Sequence, residues 1–407
     1  MKIFVLNCGS SSIKYQLFDM KKETVLARGR VERIGMDTAV LSHRTTGKEE
    51  VKQVASILEH TAAIKKVLAV LTDPKAGAIQ SVDEITAVGH RVVSGGEHFS
   101  ESVLITDEVK TVIKQCFDLA PLHNPPNLMG INAIESILPE VPQVAVFDTA
   151  FHSSMPPCAF LYAIPYILYK RYRIRRYGFH GTSHKYVTTR AAQLMKRPVE
   201  DLKIISCHLG NGASITAVKG GKSVDTTMGF TPVEGLMMGT RSGDLDPGAL
   251  LYVMSKESLG VGEANAMLNK HSGLIGVSGI SGDMREIEEE MAAGNQRARD
   301  AFDMFVYRIR KYIGAYAAAM GGVDAVVFTA GVGENSPAVR EQVCRTLECL
   351  GIEFDDEKNK NSEKEKEISK PSSKVRVFVI PTNEELVIAR DTMEVAARVT
   401  ESRRERR

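Results

Sequence analysis

Several short stretches of this sequence carry residues suited to holding anions. Asn7-Cys8-Gly9-Ser10-Ser11-Ser12 offers backbone N–H groups and hydroxyls at a turn, and Lys14 adds a point charge. Such donors suit phosphate oxygens. About half a chain later, His208-Leu209-Gly210-Asn211-Gly212-Ala213-Ser214 has the same character. Arg91 follows Gly89-His90, and Arg241 lies in Gly239-Thr240-Arg241-Ser242-Gly243-Asp244. Each reads alone as a surface residue, but two arginines in two glycine-rich turns make a bidentate clamp on carboxylate or phosphate. In Gly178-Phe179-His180-Gly181-Thr182-Ser183-His184 the glycines around His180 leave room for a ligand. That favours His180 as a hydrogen-bond donor to a reacting anion. An HxxxH metal pair is disfavoured by the glycine after His180 and the lack of a third ligand nearby.

Strands must position these groups. Ile3 to Leu6 is a short apolar run, and Ile13, Tyr15 and Leu17 alternate after the serine turn. Together they predict strand–turn–strand, followed by a hairpin near Asp19 to Lys22. Leu202 to Cys207, the glycine turn, Ile215 to Val218 and the Lys219–Lys222 hairpin repeat that order at low identity. The pattern predicts two related α/β lobes, each opening with a phosphate turn, with a nucleotide in the cleft between them. Three further strands end in polar residues: Val144–Phe147 at Asp148, Ala325–Phe328 at Thr329 to Asn335, and Val375–Ile380 at Pro381 to Glu385. Ligands of open α/β sheets collect at such carboxyl ends. Gly331-Val332-Gly333 reads either as a tight strand–helix connection or, beside the phosphate turns, as an adenosine contact. Asn383 caps a helix expected to run to about Val399, with Leu386, Ile388, Ala389, Met393 and Ala396 on its apolar face. The charged tail 401–407 is expected to fray, 354–374 to be a solvated insertion, and the basic run 170–177 to form an anion-attracting wall.

The bulk numbers exclude several classes. With 407 residues, 43% hydrophobic and 25% charged, the chain is long enough for two domains with sizeable cores. A net charge of +2 gives no call for nucleic acid. No apolar run approaches the ~20 residues that span a bilayer. Six scattered cysteines without a CxxC pair fit a reduced, cytoplasmic protein. Gly221-Lys222-Ser223 is not a Walker A end, because Thr216 stands where its first glycine belongs.

Taken together, the motifs resemble the acetate kinase family of the acetate and sugar kinase/Hsp70/actin superfamily. They are Asn7-x-Gly9-Ser10-Ser11-Ser12-x-Lys14, Gly89-His90-Arg91-Val92-Val93, Phe147-Asp148-Thr149-Ala150-Phe151-His152, Tyr177 to His184, His208 to Gly212, Met238 to Gly248, Thr329 to Asn335, and Pro381 to Glu385. Cys8 departs from the small residue expected there. The resemblance implies two α/β lobes with duplicated actin-like, ribonuclease H-like cores. The first comprises residues 1–150 plus 385–407 and the second 151–384. It implies Mg²⁺-dependent transfer (Mn²⁺ substituting) between ATP and acetate, giving ADP and acetyl phosphate, in a cytoplasmic homodimer with no nucleic-acid or membrane partner. Arg91 and Arg241 would grip the carboxylate and the phosphoryl group, and His180 would bond that group's oxygens. Asn7, Asp148 and Glu384 would position the metal, a helix cap being the bland reading of Glu384. Ser10, Ser12, Lys14, His208, Gly210, Asn211 and Gly212 would hold phosphates. Gly331, Gly333, Asp283, Arg285 and Asn335 would hold adenosine. Val93, Leu122, Phe179 and Pro232 would form the methyl pocket. A propionate or butyrate kinase is the nearest alternative, and an ATP-switched actin- or Hsp70-like binding module a more distant one.

Overall fold

The computed structural model describes residues 1–405, with side chains described as far as Arg398. The chain divides into two compact units, Met1–Ala150 with Asn383–Arg407, and Phe151–Thr382. The chain therefore re-enters the first unit at Asn383, two residues before the expected boundary, and Glu384 belongs with that unit.

The first unit is built on eight strands: β1 (Lys2–Cys8), β2 (Ser12–Asp19), β3 (Thr24–Glu32), β4 (Met36–Thr45), β5 (Val51–Ile57), β6 (Ile85–Val92), β7 (Val103–Leu104) and β8 (Gln143–Phe147), ordered β5-β4-β3-β2-β1-β6-β8-β7. The second has β9 (Lys203–Leu209), β10 (Ala213–Lys219), β11 (Lys222–Thr226), β12 (Ala325–Thr329), β13 (Lys366–Glu367) and β14 (Arg376–Val379), ordered β11-β10-β9-β12-β14-β13. The shared core is β3-β2-β1-β6-β8 in one unit and β11-β10-β9-β12-β14 in the other. In both, three antiparallel strands are followed by two parallel additions. The repeat that was faint in residue identity is explicit in topology.

Each sheet buries its apolar positions under helices. Ile13, Tyr15 and Leu17 on β2 pack with Ala63, Ile64 and Val67 of the helix His60–Leu71. On the same face Val92, Ala145 and Phe147 meet Leu128 and Ile131 of the helix Asn124–Ile137. In the second unit Ile204, Ala325, Val327 and Phe378 meet Val187 and Ala191 of the helix Gly181–Met195. Gly89 explains how the carboxyl-terminal helix Glu384–Glu405 sits on β6. A Cβ there would lie 2.3 Å from Thr392 Oγ1 and 2.8 Å from Ile388 Cγ2, so only glycine permits this approach. Asn383 Oδ1 caps the helix by accepting from Leu386 N at 3.2 Å. The helix runs through Glu405, past the expected end at Val399. Arg406 and Arg407 of the expected frayed tail lie outside the described residues.

Two expectations are corrected. Residues 354–374 are not merely a solvated insertion: they contain the short helix Asp356–Lys360 and β13, which edges the second sheet. Asn359 is fully buried there, and its Oδ1 accepts from the buried Arg340 Nε at 2.8 Å. Arg340 Nη1 also donates to the carbonyls of Gly333 (2.9 Å) and Glu334 (2.8 Å), so this segment braces the loop after β12. The run 170–177 faces outward only in part: Lys170, Arg171 and Arg173 are exposed, but its last two cations turn in. Arg175 lies 3.6 Å over the Phe160 ring, and Arg176 donates to the carbonyls of Thr226, Thr227 and Met228 and to Glu234. Those cations are spent inside the fold.

Candidate active site

In the first unit, Arg91 projects from β6 and Asp148 follows β8, its parallel neighbour. Arg91 Nε donates to both Asp148 oxygens at 3.1 Å, and Nη2 donates to Oδ2 at 2.6 Å. Glu384 Oε2, delivered by the helix docked at Gly89, lies 3.9 Å from Arg91 Nε. Burial works against the Arg91 charge, but Asp148 and Glu384 hold its pKa above the ordinary range. Glu384 is pushed up to about 7, first by burial and then by the charges of Asp148 and Glu385, against the pull of Arg91 and Lys14. The fold thus gathers more negative charge than its guanidinium neutralises. That is the environment a divalent cation fills when phosphate oxygens complete its coordination. Asn7, at the end of β1, pairs in register with Lys14 of β2. Ser10, Ser12 and Lys14 surround the turn between them, where Gly9 N donates to Ser12 O at 2.8 Å.

Asn124 and Asn127, which the sequence reading missed, tie the neighbouring turns together. Asn127 Oδ1 accepts from Val93 N at 3.1 Å and its amide donates to Cys8 O at 2.8 Å. Asn124 brackets Ser94 in the same way. Cys8 points into the core against Gly130, where a Cβ would come within 2.4 Å of its sulfur. Burial pushes the thiol up to about 12, so little of it is thiolate at neutral pH.

In the second unit, His180 occupies the left-handed region (φ 57°) at the start of the helix Gly181–Met195. A non-glycine residue held there is strained. Its Nδ1 is 2.9 Å from Ser214 Oγ, and its ring stacks on His208 at 4.1 Å. His208 Nδ1 bonds Ser183 Oγ at 2.8 Å. Gly212 lies beside both His180 and Arg241: a Cβ there would be 3.7 Å from His180 Nε2 and 3.3 Å from Arg241 Nη1. Arg241 itself donates only to Pro232 O, at 3.2 Å, with Met238 Sδ near, and shows no ion pair among the described residues. Burial lowers its pKa. A half-buried guanidinium without a carboxylate partner among the described residues is chemically suited to an anion.

Next to this group a cavity of about 680 Å³ is lined by Gly210, Asn211, Asp283, Arg285, Gly331 and Asn335. Arg285 Nη2 donates to Asp283 Oδ2 at 2.6 Å. Gly333 lies beneath, packed on β9 and β12. Ala330, with φ 65°, turns the strand into the helix Ala330–Asn335, and its N donates to Glu334 Oε1 at 2.8 Å. Gly239 leaves space for Asn211, since a Cβ would fall 1.9 Å from Asn211 Oδ1. Gly239→Ala is therefore expected to displace Asn211 and raise the KM for ATP, with kcat changed less; steady-state kinetics in ATP test this.

Of the residues expected to meet the acid's methyl group, Val93 is buried in the first unit and Leu122 is 67% exposed there. Phe179 is buried in the second unit, where Pro232 bonds Arg241 through its carbonyl. Ser206 and Ser214, each bonded to a site histidine, were missed. Their signal is a period of two on paired strands, Ser206 and His208 opposite Thr216 and Ser214.

A model of the acetokinase family matches residues 2–390. An acetate kinase of Symbiobacterium thermophilum is 62% identical over 395 residues, covering 97% of this chain and 99% of that one. The chain belongs to the acetokinase family. Its fold is also that of the crystal structure of Porphyromonas gingivalis acetate kinase, with a TM-score of 0.94 at 53% identity over 97% of this chain and 99% of that one. A propionate kinase from Francisella tularensis follows with a TM-score of 0.90 and 42% identity over the same shares. Membership of the acetokinase family makes the chain a kinase acting on acetate, with ATP and a divalent metal.

Proposed function

We propose that the chain catalyses the reversible in-line transfer of the ATP γ-phosphoryl group to acetate, giving acetyl phosphate and ADP. The observation that carries this reading is the convergence of Arg241, which shows no ion pair among the described residues, the bare Cα of Gly212 and the His180 edge beside the nucleotide-sized cavity. Acetate is ionised at neutral pH and is already a nucleophile, so no strong base is required. The work is to bring two anions together and neutralise the in-line transition state. Arg241 and His180 do this at the phosphoryl oxygens, and Arg91, oriented by Asp148, at the carboxylate. Mg²⁺ held by Asp148, Glu384 and Asn7 supplies further neutralisation on the phosphates. Ser10, Ser12, Lys14, His208, Gly210, Asn211 and Gly212 hold phosphates, and the cavity residues hold adenosine. Val93, Leu122, Phe179 and Pro232 meet the acid's methyl group, with the exposed Leu122 the weakest of these walls. A cytoplasmic homodimer through the second unit is supported by apolar side chains exposed there, among them Leu251, Tyr252, Val261 and Tyr307; light scattering tests it.

The deciding experiment compares acetate, propionate and butyrate for kcat/KM with MgATP, trapping the acyl phosphate with hydroxylamine. Acetate is expected to lead. Faster turnover of a longer acid overturns the methyl pocket, since one methylene is worth only ~1–3 kcal/mol. Acid-independent ATP hydrolysis overturns the reaction itself and favours an ATP-switched module.

Glu384 adds a pH prediction. Burial pushes the folded carboxyl up to about 7, from an ordinary value of 4.5. Without a cation, the unfolded chain ionises first, so Glu384 weakens the fold as pH rises from 4.5 to 7. A cation must displace that proton below pH 7, so the half-saturating Mg²⁺ concentration is expected to rise up to about tenfold per unit as pH falls. Glu384→Gln should abolish this slope, and comparison with the wild type cancels the nucleotide's own protonation. An identical slope in both proteins refutes the metal role.

A further inference from the structure

Behind His180 runs a buried chain of hydrogen bonds that ends in a serine. His180 Nδ1 is 2.9 Å from Ser214 Oγ, Ser214 Oγ is 2.8 Å from His184 Nε2, and His184 Nδ1 is 2.8 Å from Ser206 Oγ. Ser206, His184 and Ser214 are fully buried. Each neutral imidazole has one N–H and each hydroxyl one O–H, so the protons along such a chain must all point the same way. Burial and the nearby rings of His152 and His208 keep His184 neutral. The direction is set at the closed end. Ser206 has no other side-chain partner among the described residues, so accepting from His184 would leave its own buried hydroxyl hydrogen unbonded, at a cost of roughly 1–3 kcal/mol. It therefore donates to His184 Nδ1. His184 Nε2–H then donates to Ser214, and the Ser214 hydroxyl donates to His180 Nδ1. The proton of neutral His180 is left on Nε2, the nitrogen beside Gly212 and Arg241.

We propose that Ser206, His184 and Ser214 are positioning residues that fix the tautomer of His180, so that Nε2–H faces the transferring phosphoryl group. The inference rests on the role given above to His180. It explains why two strand serines and a histidine of the helix Gly181–Met195 are sealed together behind His180. The chain acts before any substrate arrives, so no part of the donor's orientation has to be found during the reaction.

The test reads the tautomer directly. ¹⁵N-histidine NMR of the intact protein is expected to show His180 protonated on Nε2 in the wild type, with the Nδ1–H form appearing in Ser214→Ala and Ser206→Ala. In Ser214→Ala, kcat is expected to fall by roughly ten- to hundredfold, the range for removing an outer hydrogen-bond partner of a functional histidine. The KM for ATP should be nearly unchanged, and Ser214→Thr, which keeps the hydroxyl, should restore kcat. Protonation of wild-type His180 on Nδ1, or an unaltered tautomer and kcat in Ser214→Ala, overturns the proposal. His180→Gln separates this from the larger reading. If that variant stays fully active, the catalytic role of His180 fails; if it is crippled while Ser214→Ala is not, only the positioning chain fails.

Discussion

Arg241→Ala is expected to lower kcat/KM for acetate and MgATP by ~10²–10³, or ~2.7–4 kcal/mol of transition-state stabilisation. Most of that loss should fall on kcat, because the contact to the planar phosphoryl group's equatorial oxygens is expected to be complete only in the in-line transition state. The thermal midpoint should hardly move. The guanidinium makes one hydrogen bond to a protein oxygen, the Pro232 carbonyl at 3.2 Å, and no ion pair among the described residues. Removing it strands no buried charge. Arg241→Lys keeps a cation but not the planar fork, so it should fall between the two. A near-native kcat/KM in Arg241→Ala would remove this residue from the reaction.

The sequence made the strand–turn–strand openings legible because their alternation is set by burial: Ile13, Tyr15 and Leu17 all face the core. The duplication was fainter because topology depends on the pattern of apolar positions, which survives when residue identity does not. Polar composition misled in two places. Residues 354–374 look solvated, yet Asn359 is buried because Arg340 reaches it from a helix far back in the chain. Arg176 looks like an outward cation, but three carbonyls and Glu234 draw it inward. Ser206 and Ser214 were missed for a related reason. Alternating polar residues on a strand read as a solvent face, and only the helix Gly181–Met195 packed above them reveals a buried one. Gly89 shows the limit most clearly. Its neighbour Arg91 was recognisable by type, but the need for glycine appears only once Ile388 and Thr392 lie against it.

Arg91→Ala is expected to behave unlike Arg241→Ala, losing stability as well as activity. Asp148 is 1% exposed, and its only side-chain partner among the described residues is Arg91. Truncating the guanidinium leaves a buried carboxylate uncompensated, with Glu384 close by to worsen the repulsion. Breaking a buried pair in this way costs ~3–5 kcal/mol. The thermal midpoint should fall by roughly ten degrees at neutral pH. Mg²⁺ should return part of that loss, by replacing the missing charge. The double variant Arg91→Ala/Asp148→Ala should be more stable than the sum of the single losses, because neither charge is then stranded. Activity should follow the opposite rule: neither single variant nor the double variant regains turnover, since each lacks the proposed carboxylate clamp, the proposed metal ligand or both. Coupled stability changes with an unrecovered kcat would place the pair in structure and catalysis at once. A double variant as unstable as the summed singles would mean that Arg91 and Asp148 contribute separately, and that the short contacts between them carry little energy.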